Sequence, residues 1–347
     1  MRIVVDAMGS DHYPQPDVEG AVLAAREYGV ELVLVGNKEI VEPELAKHSA
    51  AGLPISVVHA SQIIEMKDHP AAAVRSKRDA SMVVAMQMLK RGQVDAFVSA
   101  GNSGGCLAAA IFHLGRIKGV ERPALSSVFP TRKGPGFLLD LGANADCKPL
   151  YLMQFAIMGS IYSERVLGVT SPRVAIVSNG EEEGKGSILV QETVPLLKAS
   201  GLNFVGNVKG KDIPAGLADV VVTDGFTGNV IVKLSEGVAS FMLDMIKEEI
   251  KARPLAMVGA ILAKGAFAQV RKRLDYREYG GGALLGVDGV VIVGHGRSDS
   301  LAIKNAIRVA KQAVDKAVLP AIRESISAHL TKSTEPFAPA GDGPTEE

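Results

Sequence analysis

The stretch ADVVVTDGFTGNVIVKLSEG, Ala218–Gly237, decides how this chain is read. A β-branched run ends at Asp224. Two glycines then bracket Phe226 and Thr227, and Asn229 stands where a helix is expected to start. A strand that feeds directly into a helix is the unit of a parallel sheet, because a parallel neighbour is reached only through a crossover. Folding alone does not require an Asp, a Thr and an Asn in one tight turn. The turn either caps the helix or holds something.

The same unit recurs along the chain. Ile3–Asp6, Glu31–Gly36, Ile55–Ala60, Asp95–Ala100, Arg173–Asn179, Ala218–Asp224 and Val290–Gly294 read as buried strands. Asp17–Tyr28, Ser81–Arg91, Ser103–Arg116 and Ser187–Ser200 carry apolar residues at helical spacing. The alternation predicts an α/β fold with mainly parallel sheets and flanking helices. Ligands in such folds bind beyond the carboxyl ends of strands.

One region breaks the alternation. Leu234, Val238, Phe241 and Met245 recur at steps of four, three and four, with Asp244, Lys247, Glu248 and Lys251 opposite them. Pro254 stops this helix, and a nearly all-apolar arm, Leu255–Val270, leads to Arg271, Lys272 and Arg273. We read residues 235–276 as a protruding helical hairpin. It serves a dimer interface, a membrane surface, or both, since a basic end beside an apolar face suits anionic headgroups. The stretch Thr331–Glu347, rich in Pro, Gly and acid, is expected to be disordered.

Composition narrows the classes. Lys+Arg and Asp+Glu both number 38, so the formal charge is zero and no general attraction to nucleic acid follows. Aromatic residues make up 5% and Trp is absent, which argues against base-stacking platforms. Cys106 and Cys147 are the only cysteines; they form no disulfide scaffold or metal set and fit a reducing cytoplasm. Cys106 lies within an apolar helical pattern and reads as core. Acids by residue 6 exclude a secretory signal, and no apolar run reaches spanning length, so a cytoplasmic protein is expected.

Five turns after strands carry the polar chemistry. In DAMGSD, Asp6 and Asp11 flank a glycine; one reading has Asp6 tie the turn and Asp11 or Asp17 cap the next helix, the other has the carboxylates orient a basic group or a substrate. SAGNSGG places Asn102, Ser103 and Gly104 at a helix N-terminus, where free N–H groups and the helix dipole favour an anion. SNGEEEGKG sets Lys185 between glycines after Asn179, with Glu181, Glu182 and Glu183 placed to steady it. In TDGFTGN, Asp224 accepts while Gly225, Thr227 and Asn229 offer donors or close backbone approach. GHGRS ends the last strand with His295 and Arg297. No GxGxxG, P-loop, HExxH, CxxC or GxSxG pattern occurs, so no cofactor, metal or covalent nucleophile is expected. Together the turns point to one cleft that binds a small anion.

With VVDAMGSD, VSAGNSGG, ANADCKP, NGEEEGKG, ADVVVTDGFTGNVIVKLSEG and LLGVDGVVIVGHGRS in order over residues 1–327, the sequence resembles the phosphate acyltransferase family of bacterial phospholipid synthesis. It departs from the family's usual pattern at Ser10, at Ser103 and in Gly280–Ala283. The resemblance implies transfer of a long-chain acyl group from acyl carrier protein to inorganic phosphate, and use of the acyl phosphate by a membrane glycerol-3-phosphate acyltransferase. It implies a phosphotransacetylase-like fold, also related to isocitrate dehydrogenase, with one domain at 1–148 plus 290–330 and another at 149–289. Phosphate is then its own nucleophile. Lys185, Asn229 and Asp224 would act on the reacting groups. Asn102, Ser103, Gly104, Asn179, Gly225, Thr227, His295 and Arg297 would bind phosphate or thioester. Arg271, Lys272 and Arg273 are candidates for docking the acidic carrier. A homodimer is expected. The alternatives are a phosphotransacetylase acting on short acyl-CoA, a decarboxylating dehydrogenase lacking its metal ligands here, and a non-enzymatic membrane scaffold.

Overall fold

The computed structural model describes residues 1–333. Strands β1 (Arg2–Asp6), β2 (Glu31–Gly36), β3 (Ile55–His59), β4 (Ala96–Ser99), β5 (Ala124–Thr131), β6 (Gly134–Leu139), β7 (Val174–Val177), β8 (Phe204–Val208), β9 (Val220–Val222), β10 (Gly282–Leu285) and β11 (Val290–Val293) form one sheet. Their order is β3-β2-β1-β4-β11-β10-β5-β6-β9-β7-β8. The valine-rich runs are buried on both faces, as in a sheet covered by helices on each side.

The sheet contains two parallel blocks. β3, β2, β1, β4 and β11 run one way. β6, β9, β7 and β8 run together as well. Between the blocks, β10 is antiparallel to β11 and to β5, and β5 is antiparallel to β6. The second block therefore runs opposite to the first. β11 lies late in the chain yet returns to the side of β4.

Strands β5, β6, β8 and β10 do not stand out in the sequence. ALSSVFPT, GPGFLL, FVGNV and GALL mix Gly, Pro, Ser and Asn into short runs, and tertiary pairing overrides those weak propensities. The α/β class, the parallel strands and the flanking helices agree with the sequence reading.

The long helix departs from expectation in its start. It begins at Gly225 and runs to Lys251, so Asn229 lies in its second turn instead of at its cap. Beyond it, Pro254 opens the helix Pro254–Leu262, which packs on the long helix. A further helix, Lys264–Leu274, follows after a break at Ala263. Two helices thus replace the single apolar arm read from the sequence. Their apolar side chains stay largely uncovered, with Leu255 and Leu262 each 85% exposed. Among the described residues, no helix is long and apolar enough to cross a membrane. Thr331–Ser333 end the helix Val318–Ser333, and the rest of the tail read as disordered lies outside the described residues.

Candidate active site

Three of the five turns meet at the ends of β1, β4 and β11, which are neighbours in the sheet. Asp6 accepts from the Ser99 hydroxyl at 2.7 Å and from the Met8 N–H at 3.3 Å. The Asp11 N–H donates to the Gly296 carbonyl at 2.8 Å, and the Gly294 N–H to the Ser99 carbonyl at 2.7 Å. Asp17 is fully buried and accepts from the Ser10 hydroxyl at 2.6 Å. The helix Gln15–Tyr28 follows Pro14 without a side-chain cap, so neither Asp11 nor Asp17 caps it. Burial pushes the Asp6 carboxyl up against its hydrogen bonds to Ser81 and Ser99. Asp6 and Asp17 therefore serve the architecture of this corner.

Asn102 is also committed to the fold. Its Oδ1 caps the helix Ser103–His113 by accepting from the Gly105 N–H at 3.0 Å. Its Nδ2 donates to the carbonyls of Glu65, Met66 and Asp68 at 3.1–3.4 Å. The loop that it ties down carries Pro70, which packs against Gly104. Ser103 remains exposed at the helix start. Cys106 is buried, and burial pushes its thiol up to about 12, consistent with a core residue.

The opening turn packs on the loop that follows β6. A Cβ on Gly228 would stand 1.9 Å from the Asp140 carbonyl oxygen, and one on Gly225 would stand 2.7 Å from the Asn144 carbonyl oxygen. Glycine is therefore dictated at both positions by close approach of backbone. Asp224 is the helix N-cap: it accepts from the Thr227 N–H and the Thr227 hydroxyl, both at 2.8 Å. Gly225 donates to the Asn144 carbonyl at 2.8 Å. Asn229, one turn on, is exposed with its amide beside Gly142.

Asp140 is the organiser of this corner and was missed in the sequence, because FLLD did not read as a strand. Its buried carboxylate accepts five bonds, from the N–H groups of Leu125, Leu141, Ala143 and Asn144 and from the Asn144 side chain. Burial pushes its carboxyl up, and these donors oppose that shift.

In the NGEEEGKG loop, the Asn179 Oδ1 accepts from the Gly186 N–H at 2.9 Å and closes the turn. Lys185 is exposed, and among the described residues no ion pair reaches it. The expected steadying by the acids does not occur: Glu181 pairs with Lys209 and Glu183 with Lys198, each at 2.5 Å. Those lysines sit on neighbouring elements, where they compete better for the carboxylates than a lysine inside the same loop.

The long helix joins the two corners. Its Lys233 Nζ lies 3.1 Å from His295 Nε2 and 3.2 Å from Glu236 Oε2. Arg297 reaches the same Glu236 oxygen at 3.3 Å. Burial holds the His295 ring below its ordinary value, and the charges of Lys233 and Arg297 add to that. A neutral ring at pH 7 accepts a hydrogen bond from Lys233. Lys233, Glu236, Gly237, Ser240 and Arg297 line an open polar recess. Lys233 and Glu236 were not singled out in the sequence. Arg271, Lys272 and Arg273 fall in the helix Lys264–Leu274, with Lys272 and Arg273 exposed. Among the described residues, no group of three or more His, Cys, Asp or Glu is arranged to hold a metal.

The profile of a family described as "Fatty acid synthesis protein" matches residues 1–320. A "Phosphate acyltransferase" of Elusimicrobium minutum is 52% identical over 94% of this chain and 96% of its own length. The chain belongs to the phosphate acyltransferase family. A second member, from Pelotomaculum thermopropionicum, is 48% identical over 94% of this chain and 95% of its own. Among solved structures, the EutD phosphotransacetylase from Staphylococcus aureus aligns with a TM-score of 0.56 at 17% identity, covering 90% of this chain and 94% of its own. A phosphotransacetylase from Streptococcus pyogenes aligns at 0.57 and 15% identity, covering 94% of each chain. These two establish the fold only; the phosphate acyltransferases carry the family.

Proposed function

We propose that this protein transfers a fatty acyl group from acyl carrier protein to inorganic phosphate, giving the acyl phosphate used in phospholipid synthesis. The observation that carries this reading is near-full-length identity of about one half to proteins named phosphate acyltransferase. In this reaction a phosphate oxygen attacks the thioester carbonyl. The carbonyl becomes a tetrahedral oxyanion, the C–S bond breaks, and the phosphate O–H proton ends on the departing thiol. Thiolate leaves readily, so the protein has mainly to position phosphate and stabilise the oxyanion. Positioning can contribute up to ~7–11 kcal/mol, and one oxyanion donor about 2.7–4 kcal/mol.

The exposed Asn229 amide is the donor we assign to the oxyanion. Lys185 would add charge to phosphate when the NGEEEGKG loop meets substrate. Asp224, Gly225 and Thr227 set the entry angle of the helix that carries Asn229, while Asn102 and Asn179 hold their turns. We keep residues 1–148 plus 290–330 and 149–289 as the two proposed domains. Lys272 and Arg273 are our candidates for the acidic carrier, with Arg271. The uncovered apolar side chains of residues 225–270 suit a homodimer interface, an anionic membrane surface, or both. A membrane glycerol-3-phosphate acyltransferase would receive the product.

Carrier-thiol release from palmitoyl carrier protein tests the reaction, run with and without phosphate and with acetyl-CoA as a parallel donor. Phosphate-dependent release with acyl phosphate trapped by hydroxylamine is expected. Turnover of acetyl-CoA alone would make the protein a phosphotransacetylase. Asn229→Ala is expected to lower kcat roughly 100-fold, the usual loss for one oxyanion donor; wild-type rates in both Asn229→Ala and Lys185→Ala would overturn the site. Co-flotation with anionic vesicles is expected for the wild type and should fall several-fold in a Leu255→Glu/Leu262→Glu variant. Equal flotation of the two would remove the membrane role.

A further inference from the structure

The long helix carries a polar stripe. Asn229, Lys233, Glu236 and Ser240 recur at steps of four, three and four, on one face. Lys233 stands one turn from Asn229, about 6 Å along the axis. The His295–Arg297 loop lies against the middle of this stripe.

Within the recess, one carboxylate oxygen is shared by two cations. Glu236 Oε2 lies 3.2 Å from Lys233 Nζ and 3.3 Å from Arg297. The Arg173–Asp219 pair, by comparison, closes to 2.8 Å and is doubly bonded. The shared oxygen is thus held loosely, from two sides, in a place where an oxyanion suits both cations. Lys233 has three N–H bonds, and His295 Nε2 and Glu236 take two of them. His295 fixes the ammonium from one side and leaves a donor for a ligand. Asp11, beside Gly296, is the other carboxylate near His295. In the recess lining, Lys233 and Arg297 set two cations against the Glu236 carboxylate. An arriving dianion that reaches both cations meets Glu236 between them.

We infer that Lys233 and Arg297 form the subsite for inorganic phosphate, that Glu236 occupies it at rest, and that phosphate binds by displacing the Glu236 carboxylate. The inference rests on the proposed acyl transfer and names where that reaction's phosphate sits, one helical turn from the oxyanion donor. Tetrahedral oxygens can then reach both cations while one oxygen faces the thioester held at Asn229.

Steady-state kinetics with phosphate and acyl carrier protein varied separately test this, alongside melting temperature titrated with phosphate alone. Lys233→Ala removes an exposed side chain and little packing. It is expected to raise the KM for phosphate at least tenfold, leave the KM for the acyl carrier within twofold, and abolish the rise in Tm with phosphate. Lys233→Arg is expected to restore most of the phosphate affinity. Glu236→Gln removes the resident competitor and is expected to lower the phosphate KM two- to fivefold. An unchanged phosphate KM and Tm response in both Lys233→Ala and Arg297→Gln would overturn the subsite. So would a Lys233→Ala effect confined to the carrier KM. A wild-type protein whose Tm responds to phosphate but which releases no carrier thiol would refute the reaction and keep the subsite.

Discussion

Gly228→Ala is expected to reduce acyl transfer at least 100-fold and to destabilise the protein by about 3 kcal/mol or more. The added Cβ would stand 1.9 Å from the Asp140 carbonyl oxygen. The clash is with backbone, so no side chain can rotate away from it. Nor can the Asp140 loop yield easily, because one carboxylate holds it through five hydrogen bonds. The first turns of the long helix must lift instead. That displaces Asn229 and Lys233, and a shift of about 1 Å can cost 100-fold in a positioned reaction. Gly259→Ala is the matched control: it lies in the helix Pro254–Leu262 with open space around its Cβ. There the change favours the helix by up to ~1 kcal/mol. Initial rates and thermal melts of the two variants check the argument. Wild-type rate and Tm in Gly228→Ala would show that the helix start is not so tightly seated.

The second large effect is on pH. Asp17 is fully buried, and burial pushes its carboxyl up to about 8, with help from the charge of Asp6 and against the Ser10 hydrogen bond. The folded state therefore binds a proton that the unfolded chain loses near pH 4. Stability from this group is fully present below pH 4, falls as pH rises, and is lost once pH passes about 8. By linkage the loss accumulated by pH 7 is on the order of 4 kcal/mol. Asp6, raised in the same direction by burial, adds to the slope. Wild-type Tm is thus expected to decline between pH 5 and pH 8 through this pair. Asp17→Asn keeps an acceptor for the Ser10 hydroxyl and has no proton to lose. It is expected to flatten the decline and to be more stable than wild type at pH 8, less so or not at all at pH 5. Calorimetry across that range decides it; parallel curves for the two proteins would mean that Asp17 does not titrate in this way.

The parallel strands were legible because they are buried on both faces and must be continuous runs of Val, Ile and Leu. β2 was read residue for residue. Strands β5, β6 and β10 were not legible. Their runs mix in Gly, Pro or Ser, and β5 and β10 join two parallel blocks of opposite sense. The polar turns were legible as turns, but the sequence could not say which polar atoms the fold itself consumes. Asn102, Asp224 and Thr227 were read as site residues, and in the fold each also caps or ties its own turn. Lys233 and Glu236 were not singled out in the sequence and prove to face His295 and Arg297.

Residue chemistry and local spacing by themselves determined the α/β class, the helix-forming region after β9 and the absence of cofactor signatures. Each of these depends on side-chain periodicity or on a few adjacent residues. Only the tertiary structure decided where the long helix starts, that Asp140 organises its N-terminus, and that the two corners meet along one polar stripe. The first two depend on contacts across more than 80 residues of chain and the third on side chains that meet across 62, and periodicity carries no information about such contacts.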